Sequence, residues 1–347
     1  MSITAFFPHR IFSPSFSPHK INSVHTRRIV MMKLRFKSRL LMSWLLLFTI
    51  LFSAACTDLG PIQNFADLAA DAGRRFPALA RDINGSCRRQ IYYQQIRDNR
   101  FSPEKMQIMV DPLSGRTENE AIFAPCKNYV EQEPRLIQVN GVLLNYLQSL
   151  AALASNDTTA LDRSLANVTG SFTEAGIFTP GEVGTVKGVA GYILKAATGG
   201  YRQAKIKEAV QENNENVKIL TEALSRIVKK NYQLQLENER DELRNFYVSG
   251  MRESTTFQKS LLRNSADTVI DPLPIMTIKR QWDLEDGELQ KRLKAAVAYS
   301  EMMTEIQAAH QEIYEGRNTI GSREVLHKVL AYGLKINSLA ENLRRAF

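Results

Sequence analysis

Few residues of this 347-residue chain have the types and spacing that perform chemistry. Its three cysteines and five histidines do not form the closely spaced groups that bind zinc or other metals. His310 and His327 lie among apolar residues at helical spacing, which favours a structural role for each imidazole. The chain also has no phosphate-binding glycine loop, serine nucleophile motif or metalloprotease motif. The sequence therefore predicts neither a catalytic site, nor a cofactor, nor a bound metal.

Adjacent carboxylates offer another route to catalysis. The pairs Asp241–Glu242 and Glu285–Asp286 lie in charged runs or at predicted helix starts. There we expect solvated side chains, or charges that complement a helix dipole. Two carboxylates that are distant in sequence can still meet in a glycoside hydrolase, so a hydrolase stays an alternative. The residues themselves favour a protein that is not an enzyme.

The most informative stretch covers residues 31–56 and reads MMKLRFKSRLLMSWLLLFTILFSAAC. Four basic residues precede an apolar run from Leu40 to Phe52, and small residues follow from Ser53 to Ala55. This order is typical of a secretory signal peptide. Because about fifteen apolar residues are short for a bilayer span, an uncleaved membrane anchor is the less favoured alternative.

The end of this stretch resembles the signal peptide of bacterial lipoproteins. In that family a small residue precedes a cysteine that is acylated on its sulfur and becomes the N-terminus after cleavage. Ala54, Ala55 and Cys56 match these positions, whereas Ser53 stands where the family usually has leucine. The resemblance implies lipidation at Cys56, and the departure at Ser53 leaves cleavage by a general signal peptidase as the alternative.

The resemblance also implies a location. A protein of this family is anchored in the bacterial cell envelope through three acyl chains. A single acyl chain binds a membrane only weakly, so three chains give a stable anchor. Thr57 follows the cysteine, where an aspartate would signal retention in the inner membrane under enterobacteria-like sorting. We therefore expect the outer membrane, with the protein facing the periplasm and meeting a protein partner in the envelope.

Residues 1–30 precede this signal peptide and contain no acidic residue. We interpret them as an extension from a start codon assigned too early, with Met31 or Met32 as the true start. An organelle transit peptide, which has a similar composition, is the alternative.

The basic charge of the chain belongs to its leader. The net charge is +9, but residues 1–56 contain eight basic residues and no acidic one. The remainder therefore has 37 basic and 36 acidic residues, a net charge of +1. This balance gives no indication of nucleic-acid binding.

If Cys56 carries lipid, two cysteines remain in an oxidising compartment. We therefore predict a disulfide between Cys87 and Cys126. Two buried free thiols are the alternative. Without lipidation the cysteine count is odd, and one thiol would be free or intermolecular.

Helical spacing of apolar residues dominates the chain after the leader, which predicts an all-α fold. We expect an elongated antiparallel bundle of long, coiled-coil-like helices over residues 131–347. Residues 56–130 are expected to form an N-terminal helical part with an irregular loop. Within that loop, a small β-hairpin is predicted near residues 105–125.

Four glycines recur at spacings of three, four and three in a helix that Thr179 and Pro180 begin. Glycine costs about 1 kcal/mol against alanine in a helix, so glycines on one face predict close packing of another helix there. The predicted helix-packing residues are Gly181, Gly184, Gly188 and Gly191. In membranes such a face promotes dimerisation, although Lys187 and Lys195 disfavour a span here.

These patterns favour a lipid-anchored helical protein of the cell envelope, acting as a structural or partner-binding module. A membrane-active, pore-forming-like protein that uses residues 180–200 is the first alternative. An envelope hydrolase is the second.

Overall fold

The computed structural model describes residues 58–98, 123–155, 179–196, 202–262 and 270–347. All regular structure within these ranges is helical, which confirms the predicted all-α class, and no strand occurs in them. The predicted signal peptide with Cys56, and nearly all of the predicted β-hairpin, lie outside the described residues. The end of the hairpin range, Ala124–Cys126, forms a 3-10 turn.

Eight α-helices fall within the described ranges. They are α1 (Gly60–Gly73), α2 (Phe76–Asp98), α3 (Lys127–Ser155), α4 (Pro180–Ala196), α5 (Arg202–Ile227), α6 (Leu234–Leu261), α7 (Leu273–Glu315) and α8 (Arg323–Ala346). A π-helix, Val228–Gln233, joins α5 to α6.

α4 begins at Pro180, as predicted, and a capping box closes its first turn. The Thr179 hydroxyl accepts a hydrogen bond from the Glu182 amide at 3.3 Å, and the Glu182 carboxylate accepts one from the Thr179 amide at 2.7 Å. Arg226 of α5 donates to the other carboxylate oxygen at 2.8 Å. Burial raises the pKa of Glu182, but these hydrogen bonds outweigh burial, so its pKa is lowered overall. The cap therefore also attaches α4 to α5.

α5, the π-helix and α6 form one unbroken helical stretch from Arg202 to Leu261. A π-helix places one more residue in each turn than an α-helix. The buried face consequently moves to Tyr232, while Leu234 is 53% exposed. In the sequence this shift is visible only as a break in the apolar spacing after Leu234.

α7 is the longest helix in the described ranges, with 43 residues and a length of about 65 Å. α8 packs against α7 in the antiparallel direction, with Lys335 2.6 Å from Glu305 and Lys328 3.0 Å from Glu312. Buried apolar side chains from all eight helices form one contiguous core.

The long α5–α6 stretch also runs antiparallel to α7. Gln307 donates to Glu222 at 3.3 Å near one end of the contact, and Arg240 lies 3.4 Å from Asp286 near the other. α2 lies beside α6 and runs in the same direction as α6, as the ion pairs of Arg89 with Glu239 and of Arg97 with Glu242 show.

The N-terminal helices share the core of the long helices. The boundary expected between residues 130 and 131 falls inside α3, and residues 58–347 form one compact unit. Closeness of α1 to α8 depends on Gly333, since a Cβ at that position would lie 3.2 Å from the Phe65 Cα. Gly333 of α8 is therefore a glycine that allows another helix, α1, to pack closely.

One helix in the described ranges, Ala124–Ser155, is long and apolar enough to cross a membrane by length and composition. Within its most apolar window, 67% is buried against the rest of the protein, and buried leucines and alanines of α3 belong to the common core. This is the pattern of a core helix.

The predicted disulfide between Cys87 and Cys126 is present, with the sulfur atoms 2.01 Å apart. It attaches the 3-10 turn before α3 to the middle of α2. The two cysteines enclose a segment with a sequence separation of 39 residues.

Replacing both Cys87 and Cys126 with serine should lower the free energy of unfolding by about 4 kcal/mol, because the unfolded chain regains the freedom of the closed loop. Urea denaturation of the variant and of the parent, without reductant, measures this difference. Adding reductant to the parent should reproduce the loss. An unchanged free energy would contradict the expectation.

His310 is buried between α3 and α5. Its Nε2 lies 2.7 Å from the Tyr146 hydroxyl, and its Nδ1 lies 3.1 Å from Asn214 Oδ1. The amide nitrogen of Asn214 donates to Gln311, so the Asn214 oxygen accepts from His310 Nδ1–H and His310 Nε2 accepts from Tyr146. Burial lowers the pKa of His310 to about 3. The imidazole is therefore a neutral core group, as its apolar spacing predicted.

Replacing His310 with glutamine should make stability less sensitive to acid. Between pH 6.5 and about 3, the unfolded chain binds a proton that folded His310 does not. On acidification the free energy of unfolding of the parent should therefore fall by about 1.4 kcal/mol per pH unit through this group. The variant should not show this fall. Urea denaturation at several pH values measures both, with the exposed His327→Gln as control. Parallel curves for parent and His310→Gln would contradict this account.

Candidate functional site

α6 and α7 extend beyond the rest of the described bundle as a pair. α2 ends at Asp98, close to where Arg97 meets Glu242, and α3 begins where Tyr129 meets Gln235. Past that level only residues 248–262 and 270–284 continue among the described residues. We call these two ranges the hairpin projection. Their helical parts, residues 248–261 and 273–284, span about 21 Å and about 18 Å along the helix axes.

The hairpin projection exposes large apolar side chains on its outer surface. Between 59% and 66% of each of five such residues is accessible to solvent. They are Phe257, Leu261, Leu273, Met276 and Leu284. They make up half of the exposed large apolar residues in the described chain.

The half-buried side of the projection is mixed in polarity. On α6 it includes Met251 and Gln258, and on α7 it includes Ile278 and Trp282, which pack against the common core. The side-chain nitrogen of Gln258 is buried without a hydrogen-bond partner among the described residues. Phe257, in contrast, is exposed.

Glu285 connects the base of the projection to the bundle. Its carboxylate accepts hydrogen bonds from the hydroxyls of Tyr93 and Tyr247 and from the Gln281 amide, each at 2.8 Å. Burial and the Glu285 charge raise the pKa values of Tyr93 and Tyr247 above the ordinary range. Both hydroxyls therefore stay protonated donors, and three helices meet at one carboxylate.

A second charged layer lies deeper in the bundle. The Glu239 side chain is 3% exposed and lies 2.6 Å from Arg89, which also contacts Asp82 at 2.9 Å. Tyr232 donates to Asp82 at 2.6 Å, and Arg292 lies within 3.9 Å of both carboxylates. Burial lowers the pKa of Arg89, but its bonds to Glu239 and Asp82 outweigh burial and raise it overall. These ion pairs connect α2, α6 and α7.

The acidic pairs thus differ from the expected solvated side chains. Glu242 bonds to Arg97 and Gln94, Asp286 pairs with Arg240, and Glu285 is the common acceptor described above. Asp241 is exposed, as expected. Among the described residues no group of His, Cys, Asp and Glu side chains could hold a metal ion.

Among the described residues, no helix backbone packs closely against the α4 glycines, for which a helix-packing role was predicted. A Cβ placed on Gly184 or Gly191 would have no described atom within 4 Å, and one on Gly188 would meet only the flexible Asn216 side chain. Gly181, Gly184 and Gly188 are exposed and Gly191 is half-buried. α4 instead packs through a valine stripe, formed by Val183, Val186 and Val189. Burying these methyl groups outweighs the close approach that glycine permits.

The exposed residues of the hairpin projection were not identified from the sequence. Their signal is the pair of apolar clusters on either side of residues 263–270, in TTFQKSLL before and DPLPIM after. Leu273, Met276 and Leu284 share one helix face, the spacing of anchors that dock against another helix. Whether such a face is buried depends on which helices continue alongside it.

No protein-family model, curated protein or solved structure matches this chain.

Replacing Glu285 with alanine should loosen the projection selectively. Losing hydrogen bonds to a carboxylate costs about 2 kcal/mol, which corresponds to roughly 30-fold faster local opening. Hydrogen exchange should therefore accelerate in residues 248–262 and 273–284. Asp283→Ala is the matched control, since Asp283 pairs with the exposed Lys279 on its own helix. Equal acceleration along the whole chain would contradict a local role.

Proposed function

We propose that this protein is a lipid-anchored helical module of the bacterial cell envelope, which holds the hairpin projection away from its membrane and presents it to a partner. The observation that carries the proposal is the position of the projection at the opposite end of the bundle from the start of α1. The lipid comes from the lipoprotein-like signal that ends at Cys56.

The direction of α1 establishes this polarity. Phe76, just after α1, stacks on Tyr299 with ring centroids 4.7 Å apart. Further back, Phe65 lies against Gly333, which is close to the level where Lys335 meets Glu305. α1 therefore leads away from the projection as it is followed back toward Cys56.

The separation follows from the length of α7. From Glu305 to Leu273 the helix has 32 steps, which correspond to about 48 Å at 1.5 Å each. The α1 residues that pack near Glu305 would thus lie roughly 50 Å from Leu273 along α7. Two rigid antiparallel helices can maintain such a distance, and we propose that α5–α6 and α7 form the expected elongated, coiled-coil-like pair.

The internal charged layers support presentation over catalysis. Glu239 and Asp82 are neutralised by arginines, and Glu285 is engaged by tyrosine hydroxyls. These bonds stiffen the bundle at the base of the projection. A stiff base lowers the entropy lost when a partner binds to the exposed apolar side chains.

Intact mass of the protein extracted from membranes tests the anchor. We expect a chain that begins at Cys56 and carries acyl mass, because the signal resembles that of lipoproteins. In a Cys56→Ser variant the acyl mass should be absent and the protein should leave the membrane fraction. A parent chain without acyl mass, or one that retains residues 31–55, would overturn the lipid anchor.

A further inference from the structure

We propose that α4 is a detachable strap, which leaves the bundle by local unfolding while the other described helices stay folded. The first support is its composition. Four of its 17 residues are glycine, whereas each of the other described helices contains at most two. Glycine is the poorest helix former after proline, and a helix of low propensity depends on its packing to persist. The strength of that packing therefore decides whether α4 stays in place.

Packing does not require the glycines of α4. A Cβ on Gly184 or Gly191 would have no described atom within 4 Å. Elsewhere the fold does require glycine, since a Cβ on Gly73 would overlap the Leu144 side chain. Each glycine disfavours the helical state by a factor of about five relative to alanine. In α4 the glycines thus weaken the helix where no close contact compensates the loss.

Few contacts attach α4 to the bundle. Its valine stripe packs on α3 and α5, and its opposite side is exposed. Among the described residues, two side-chain hydrogen bonds join it to α5. Arg226 donates to Glu182 at 2.8 Å, and the Tyr192 hydroxyl donates to the Lys205 carbonyl at 3.4 Å. An element with few buried contacts opens at a lower free energy than the core of the same protein.

Undocking of α4 uncovers apolar side chains of α5. A Cβ on Gly188 would lie 3.3 Å from the Asn216 amide nitrogen, so α4 crosses α5 at this level. Leu220 and Ala223 follow one and two turns later on the same side of α5, and both are buried. The valine stripe of α4 becomes accessible at the same time. The strap thus changes which apolar surface the bundle presents, and this inference does not rest on the lipid anchor or on the hairpin projection.

Hydrogen exchange of the full-length protein tests the strap. Gly184→Ala combined with Gly191→Ala should slow exchange in α4 by about 25-fold, because alanine favours the helix about fivefold at each position. Gly250→Ala combined with Gly287→Ala is the matched control. A Cβ at these positions of α6 and α7 also has no described atom within 4 Å, and this pair should leave exchange in α4 unchanged.

Arg226→Met tests the attachment without changing any residue of α4. Losing the hydrogen bond to Glu182 should speed exchange in α4 by about fivefold. Lys218→Met is the control, since Lys218 pairs with Glu215 on its own helix. Unchanged exchange in Arg226→Met would contradict an attachment through this bond.

Thiol labelling of the full-length protein provides an independent measurement. Val186 on α4 and Val329 on α8 are both fully buried. A Val186→Cys variant should react with a maleimide at least about tenfold faster than Val329→Cys, because α4 opens locally. Equal labelling rates would overturn the proposal. So would an exchange rate in α4 that both alanine pairs slow equally, because α4 would then open only when the whole chain unfolds.

Discussion

The burial of Glu239 is the constraint on which the arrangement of the helices depends. A carboxylate with only 3% of its side chain exposed is costly unless opposite charge and hydrogen bonds compensate it. Arg89 from α2 and Arg292 from α7 supply that compensation, and Asp82 completes the layer. A slip of any one helix by a turn would separate these charges. The layer therefore determines how α2, α6 and α7 lie along one another.

The π-helix makes this layer possible. It rotates the buried face so that Tyr232 reaches Asp82 at 2.6 Å, and Glu239 follows on the same inward side of α6. With uninterrupted α-helical spacing, Leu234 would face the core instead of solvent. The π-helix thus replaces an apolar contact of Leu234 with the directed polar bonds of Tyr232 and Glu239. Such bonds specify a unique register better than apolar packing, which tolerates sliding.

The bundle consequently has two different ends. Near α1, the helices share a continuous apolar core, and Gly333 admits close packing against Phe65. At the other end, the Glu285 carboxylate accepts hydrogen bonds from the hydroxyls of Tyr93 and Tyr247. Beyond Glu285, α6 and α7 continue as a pair among the described residues. Ile278 and Trp282 still pack against the core there, whereas Leu273, Met276 and Leu284 are exposed. This contrast underlies the proposed presentation.

Local patterns in the sequence determined the helices, the capping box at Thr179, and the core position of His310, because these depend on neighbours within a few turns. The disulfide was predicted from the compartment and the cysteine count. Tertiary structure alone decided which helix faces are covered: it buried valines instead of glycines on α4 and gave Glu285 two tyrosine donors from separate helices. It also left the hairpin projection apolar and exposed. Burial is a property of what packs nearby, and periodicity does not specify the neighbour.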